Sequence, residues 1–231
     1  MNQPEYFEII SSPHFLDKFI ERAFISEGFS PIPAGADDNR TVIFIASSPD
    51  DKIPDHRACD RLIIIATQGC SQIAKSAPAE ATVIITPYIV GTGMTGLMRD
   101  IVAMAGRGTM FHIEGNDAKV SVIHAIDVAR LAVALSDHSG QYSVSDGSDP
   151  SWRDLTEALS VRVGHKRIPT LSKRVARWAA FGGKIWGGPD RDILNIITAD
   201  ATINPSPLPI DFSPTVVTEY LTNHEYTDED L

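Results

Sequence analysis

At 231 residues, 43% of them hydrophobic, the chain can bury one sizeable core with a small lobe beside it. Its formal net charge of −10 opposes phosphate backbones and anionic lipid, so neither nucleic acid nor a membrane is expected as a partner unless a local basic patch overcomes the mean field. No stretch reaches the ~18 apolar residues of a membrane span, and Glu5, Glu8 and Asp17 stand where a secretory leader would be basic and then apolar, so a cytoplasmic protein is expected.

Tyr6 to Ile10 reads as a short strand. Phe15, Leu16, Phe19, Ile20, Ala23 and Phe24 follow at helical spacing, with Pro13 in the opening turn and Gly28 at the close. A second strand at Phe29 to Pro33 holds Pro31 and Pro33, which cannot donate to a ladder, so it belongs at a sheet edge. Ala34 to Arg40 reads as polar loop. Thr41 to Ala46 and Leu62 to Ala66 are continuous apolar runs, the pattern of strands covered on both faces. Cys59 and Cys70 flank the second run, match no metal spacing, and read as reduced thiols; no metal site is expected. The linkers Ser47 to Asp60 and Thr67 to Glu80 leave room for at most a modest helix each, close to the minimum for a parallel crossover.

The most informative stretch is Ala81 to Gly96, ATVIITPYIVGTGMTG, a buried strand emptying through Pro87 into a glycine-rich loop. Leu97, Ile101, Val102, Met104 and Ala105 then mark a helix that ends at Gly106 and Gly108. Val120 to Ile123 reads as a strand, Asp127 as the cap of a helix with Val128, Leu131, Ala132 and Leu135 on its apolar face, and Tyr142 to Val144 as a further strand. Ser151 with Asp154 resembles a capping box ahead of Leu155, Leu159 and Val163, with Gly164 as the stop. Another helix runs from about Ser172 to Ile185, interrupted at Gly182 and Gly183. Prolines at 205, 207, 209 and 214 dictate an extended segment before a terminal helix at Val216 to Asn223 and an acidic tail.

Three of these stretches, TPYIVGTG (Thr86 to Gly93), VIHAIDVARLAVAL (Val122 to Leu135) and QYSVSDGSDPSWRDLTEAL (Gln141 to Leu159), stand in an order and spacing that resemble the extended short-chain dehydrogenase/reductase family, the NAD-dependent epimerases and dehydratases. The resemblance implies an α/β fold: a Rossmann-like, doubly wound, mostly parallel sheet over residues 1–145, shortened, with a small mixed α/β C-terminal lobe over residues 146–231 that shares the last strands and helix. It also implies a cleft at the C-terminal ends of the central strands, near Ala46 to Ser48, Thr67, Gln68 and Pro87 to Gly91.

Departures accompany it. Thr86 replaces the family's arginine, and the loop after Pro87 is a residue short. The family's GxxGxxG turn lets backbone amides approach a pyrophosphate; here it reads Ser11, Ser12, Pro13, His14, Phe15, Leu16, Asp17, without glycine. The acidic residue expected after the second strand falls only on Asp37 or Asp38. The Tyr-x-x-x-Lys pair becomes Ser71-Gln-Ile-Ala-Lys75, and a serine cannot replace a phenol as proton shuttle. Thr67 matches the orienting hydroxyl, and His124 with Asp127 matches the His-x-x-Asp segment beside the substrate lobe. There is no room for the family's third strand, so the second becomes the edge, and the helices that carry the family's dimer are shortened, so that interface is expected to be lost. The weak catalytic candidates are Thr67, Lys75 and His124; those for a cofactor are Ser11, Ser12, His14, Ala46, Ser47, Thr67, Pro87 and Ile89. Lys173, Arg174, Arg177 and Lys184 read as a solvated basic face, and Trp152, Trp178 and Trp186 as lobe packing.

Two functions follow. The preferred one is a shortened, degenerate relative without classical dinucleotide catalysis, with no cofactor expected, acting as a small-molecule-binding or regulatory protein. The other is an active NAD- or NADP-dependent epimerase or reductase acting on a nucleotide sugar or a related carbonyl or hydroxyl substrate.

Overall fold

The computed structural model describes residues 5–12, 14–33, 40–55, 59–67, 69–164 and 167–223. Pro13, residues 34–39 with Asp37 and Asp38, Gln68 and the acidic C-terminal residues lie outside them.

Six strands form one parallel sheet in the order β2 (Ser30–Pro31), β1 (Tyr6–Ser11), β3 (Arg40–Ala46), β4 (Arg61–Ala66), β5 (Thr82–Ile85) and β9 (Gly140–Ser143). β2 is the edge, as Pro31 requires, though it is shorter than the Phe29 to Pro33 strand expected, with Pro33 beyond its end; β1 pairs directly with β3. The central strands are apolar throughout because alternate residues face two different cores. Ile43, Ile45, Ile63, Ile65 and Ile84 pack with Leu16, Phe19, Ile20 and Phe24 of α1 (Leu16–Ser26) and with Val128, Leu131 and Ala132 of α4 (Ala125–Ala134). On the opposite face, among the described residues, Val42, Phe44, Leu62, Ile64 and Val83 meet a single short helix, α2 (Ser71–Lys75), together with partly buried Ile53, Cys59 and Ala77. Both cysteines are free thiols.

The stretch after β5 does not stay in this sheet. The chain breaks at Thr86, whose amide donates to Ala66 O, and continues as β6 (Tyr88–Val90), which pairs in parallel with β8 (Val122–His124). Gly91 then passes so close to the start of α4 that a Cβ there would come 2.8 Å from Ala125 Cβ. A second core draws on residues from Val90 to Leu221, contributed chiefly by α3 (Gly96–Arg107), α5 (Trp152–Arg162), α6 (Lys173–Phe181), α8 (Arg191–Ile197) and α9 (Val217–Thr222). Beside α6 lie α7 (Gly183–Trp186) and the small pair β7 (His112–Ile113) with β10 (Thr170–Leu171). Ser151 and Asp154 make the expected capping box at α5.

The helix after β8 is capped differently from the sequence reading. His124 is the N-cap, its ring Nδ1 accepting from the Ile126 amide, while Asp127 lies inside the first turn, fully buried. The Asp127 carboxylate accepts instead from the Thr215 amide at 2.7 Å and from Arg130 at 2.8 Å. It holds the extended C-terminal segment, whose Leu208, Ile210 and Phe212 pack against the sheet's main core.

Candidate functional site

The sheet's C-terminal edge opens into a cleft of about 410 Å³, lined by His14, Phe15, Ser47, Thr67, Pro87, Tyr88, Ile89 and the first turn of α3 from Thr95 to Met98. That is where an open α/β sheet leaves space between strand ends. His14, Ser47, Thr67, Pro87 and Ile89 are brought together there. Ser11, Ser12 and Ala46 do not line it, and Ala46 points into the core beside α2. Lys75 is exposed on α2 away from the wall. His124 is buried against Tyr220, their ring centroids 4.2 Å apart.

The opening turn of α1 is closed by its own side chains. The Asp17 carboxylate accepts from the Ser11 hydroxyl at 2.9 Å and from the His14 amide at 3.2 Å, and His14 Nδ1 accepts from the Leu16 amide at 3.3 Å. Phe15 sits beside Gly93 of the loop after β6, whose positive φ of 82° suits glycine. A second carboxylate does the same after β3: Asp51 accepts from the Ser47 and Ser48 amides, both at 2.9 Å. The amides at two strand ends, the places where a ligand oxygen would seek donors, are thus satisfied from within the chain.

The Thr67 hydroxyl donates to Ala46 O at 2.8 Å, so toward a ligand it presents an acceptor rather than a proton. The described lining residues hold one imidazole and one phenol, without lysine or carboxylate. The sequence reading placed Tyr88 at the cleft only as part of the Pro87 to Gly91 stretch, and missed Phe15, Leu97 and Met98. Phe15 comes in beside His14 at the start of α1, whereas Leu97 and Met98 are brought in by the packing of α3 after the bend at Thr86, which carries no local signal. Asp51 was detectable in principle, since Ser47-Ser48-Pro49-Asp50-Asp51 is a turn composition with a carboxylate at capping distance.

A larger concavity, about 680 Å³, lies between α5 and α9 with Arg153, Arg167, Glu157 and Glu219 on its walls. It is remote from the strand ends, and its charges of both signs offer no converging set for one ligand. Under it, His112 Nε2 lies 3.2 Å from Glu157 Oε1. Burial, helped by Arg153, lowers the His112 pKa against the pull of Glu157 and Asp154. Burial also lowers that of His14, against the pull of Asp17.

These two rings make a prediction. A histidine with a lowered folded pKa contributes stability that is fully present above its unfolded value of 6.5 and is lost as pH falls through the folded value, because the unfolded chain takes up protons first. Urea midpoints are expected to decline below neutral pH, before the carboxylates titrate, and to decline less in a His112→Gln variant. Midpoints unchanged across that window would contradict it.

No family model matches the chain, and no curated protein matches it in sequence. Solved structures do match. A nucleoside-diphosphate-sugar epimerase from Pseudomonas aeruginosa is 15% identical, with 95% of each chain covered and a TM-score of 0.54. The chain has the fold of the epimerases and reductases. GDP-mannoheptose C4 reductase from Campylobacter jejuni, a structure with NADP bound, is 9% identical over 88% of this chain and 95% of that one, with a TM-score of 0.54. A human epimerase family protein with NADPH is 8% identical over 84% and 90%, with a TM-score of 0.55. At these identities the likeness is one of architecture, so the chemistry has to be argued from this chain's own residues.

Proposed function

We propose that this epimerase-fold chain is a small-molecule-binding or regulatory protein without classical dinucleotide catalysis. The observation that carries the reading is the Asp17 carboxylate at the opening of α1, which already accepts from Ser11 and His14. A dinucleotide's diphosphate does not fit there. It would meet a carboxylate where it needs bare amides, and Phe15 and His14 fill the space that glycines keep open in the family. The remaining cleft combines Ser47 and Thr67 with the aromatic and aliphatic surfaces of Phe15, Tyr88, Leu97 and Met98. That lining favours a small hydroxylated ligand with one apolar face, the size and chemistry of a sugar rather than of a nucleotide.

The same reading takes the protein to be cytoplasmic. It also takes the helix-mediated dimer of the family to be missing, since α2 is the one helix among the described residues between β3 and β5.

A second reading, an active NAD- or NADP-dependent epimerase or reductase working on a nucleotide sugar, draws on the position of the cleft. It lies at the strand ends in a fold shared with NADP- and NADPH-bound structures. Thermal-shift titration with NAD+, NADH, NADP+ and NADPH separates the two. The first reading expects an unmoved midpoint with all four; saturable stabilisation by any of them in the micromolar range would overturn it in favour of the second.

A further inference from the structure

The helix pair α6–α7 wears its large apolar residues on the outside. Among the described residues nine large hydrophobic side chains are exposed, and six of them, Val175, Trp178, Phe181, Ile185, Trp186 and Ile196, fall in α6, α7 and α8. Trp178 is 82% exposed, Phe181 74% and Ile185 92%, whereas the residues that α6 turns to the core are the small Ala176 and Ala180. A helix serving only the core has the reverse arrangement. Arg174, Trp178 and Phe181 follow at intervals of four and three, so one outward stripe carries both charge and aromatic surface. Lys173 and Arg177 are exposed beside it, and the Arg191 guanidinium lies 4.9 Å over the Phe181 ring.

The charge here opposes that of the whole molecule. In a chain of net charge −10, residues 172–188 hold four basic side chains and no acidic one. The nearest acids in sequence are Asp190, which caps α8 by accepting from the Ile193 amide, and Asp192. Asp190 and Asp192 share a concavity with Phe181 but flank Arg191 there, and at physiological salt the screening length is about 8 Å, so a surface contacting this patch responds to these local cations more than to the acids beyond it.

We propose that α6 and α7 dock the protein peripherally on an anionic lipid surface, lying in the plane of the headgroups. Among the described residues no helix is long and apolar enough to cross a membrane, so the contact is interfacial rather than spanning. Trp178 and Ile185 are projecting tips, while Phe181, 74% exposed, also forms one wall of a shallow concavity with Arg191, Asp190 and Asp192. A protein partner would need a pocket shaped to each of them, whereas a leaflet accepts them without shape matching and places the neighbouring arginines at phosphate level. A second copy of the chain makes a poorer receiver: in a two-fold pairing the patch would face its own Lys173, Arg174 and Arg177, and elsewhere Ile25, Val161 and Val163 are too few to form a counterpart. The expectation of no membrane partner rested on mean charge, and this local cluster is the condition under which it fails.

Full-length protein is incubated with vesicles of phosphatidylcholine alone and of phosphatidylcholine mixed equally with phosphatidylglycerol, then sedimented. Co-sedimentation with the mixed vesicles only is expected, accompanied by a blue shift in tryptophan emission from Trp178 and Trp186, since Trp152 is already buried. Arg174→Gln and Arg177→Gln should each weaken partitioning about fivefold. Trp178→Ser combined with Ile185→Ser should abolish it; these are exposed positions, and unchanged circular dichroism would verify the fold. The proposal is overturned by absence of binding to the anionic vesicles at low salt, or by binding that these variants leave intact. It is equally overturned if the patch drives concentration-dependent self-association that the double variant disperses while vesicles are ignored.

Discussion

An Asp127→Ala variant is expected to lose about 3 kcal/mol of stability. The carboxylate is fully buried and accepts from the Thr215 amide and from Arg130. Arg130 is half exposed at its side chain and its guanidinium lies 5.1 Å above the Phe212 ring, so without Asp127 its charge is still solvated. The loss therefore comes from the Thr215 N–H and from the space the carboxyl leaves. Nineteen residues after Asp127, Asp146 repeats the device: its carboxylate accepts from the Val217 amide at 2.9 Å and from Ser148. The two acids grip backbone on either side of Val216, where the proline-rich segment ends and α9 begins. Asp127→Ala should thus lower the thermal midpoint by roughly 10 °C and expose the segment around residues 205–214 to limited proteolysis. Asp127→Asn, which keeps an acceptor of the same shape, should cost less than half as much. A midpoint within about 2 °C of the parent in the alanine variant would show that the clamp is dispensable.

Asp127 also marks where sequence reasoning reaches its limit. A carboxylate just after a strand and before an apolar helix pattern has the composition of a cap. The helix begins three residues earlier than the pattern implies, so His124 takes the cap and the acid is carried inward to a partner 88 residues away, which no local rule can reveal. What was legible had a local cause. β3 and β4 appear as unbroken apolar runs because both faces are covered, β2 declares itself an edge through Pro31, and Ser151 with Asp154 writes its capping box openly. A cleft at the strand ends was expected from the family resemblance, and His14, Ser47, Thr67, Pro87 and Ile89 line a concavity there. Its other wall was not legible, because α3 reaches the strand ends only after the chain leaves the main sheet at Thr86. α8 was missed for a related reason. Its apolar positions, Ile193, Leu194, Ile196 and Ile197, fall within a helix of seven residues just after Pro189, too short a window for a period to stand out. Trp178 was misjudged by type: tryptophan is usually packed, and nothing within α6 announces that Ala176 and Ala180 face inward instead.

Trp152→Ala is the second large effect, and it bears on the cleft. Trp152 opens α5 1% exposed, its Nε1–H donating to Ala199 O at 3.3 Å and its ring set edge-to-face with that of Tyr88 at a centroid distance of 5.3 Å and an angle of 68°. Removing a buried indole leaves both a void and an unpaired carbonyl, a combined cost of about 3–5 kcal/mol. For a chain of this length that is a fall in midpoint of roughly 10 °C or more. Tyr88 lines the cleft, so its packing on Trp152 connects the second core to the wall that a ligand would touch. Loss of the edge-on pair should appear as a reduced near-ultraviolet circular dichroism signal from tyrosine at temperatures where the variant is still folded. Trp152→Phe fills most of the volume and keeps an aromatic partner for Tyr88, so it should recover most of both signals, leaving chiefly the cost of the missing hydrogen bond, about 1 kcal/mol. If the alanine variant loses stability while the tyrosine signal persists unchanged, Tyr88 is positioned by β6 and β8 alone, and the lobe has no hold on the cleft.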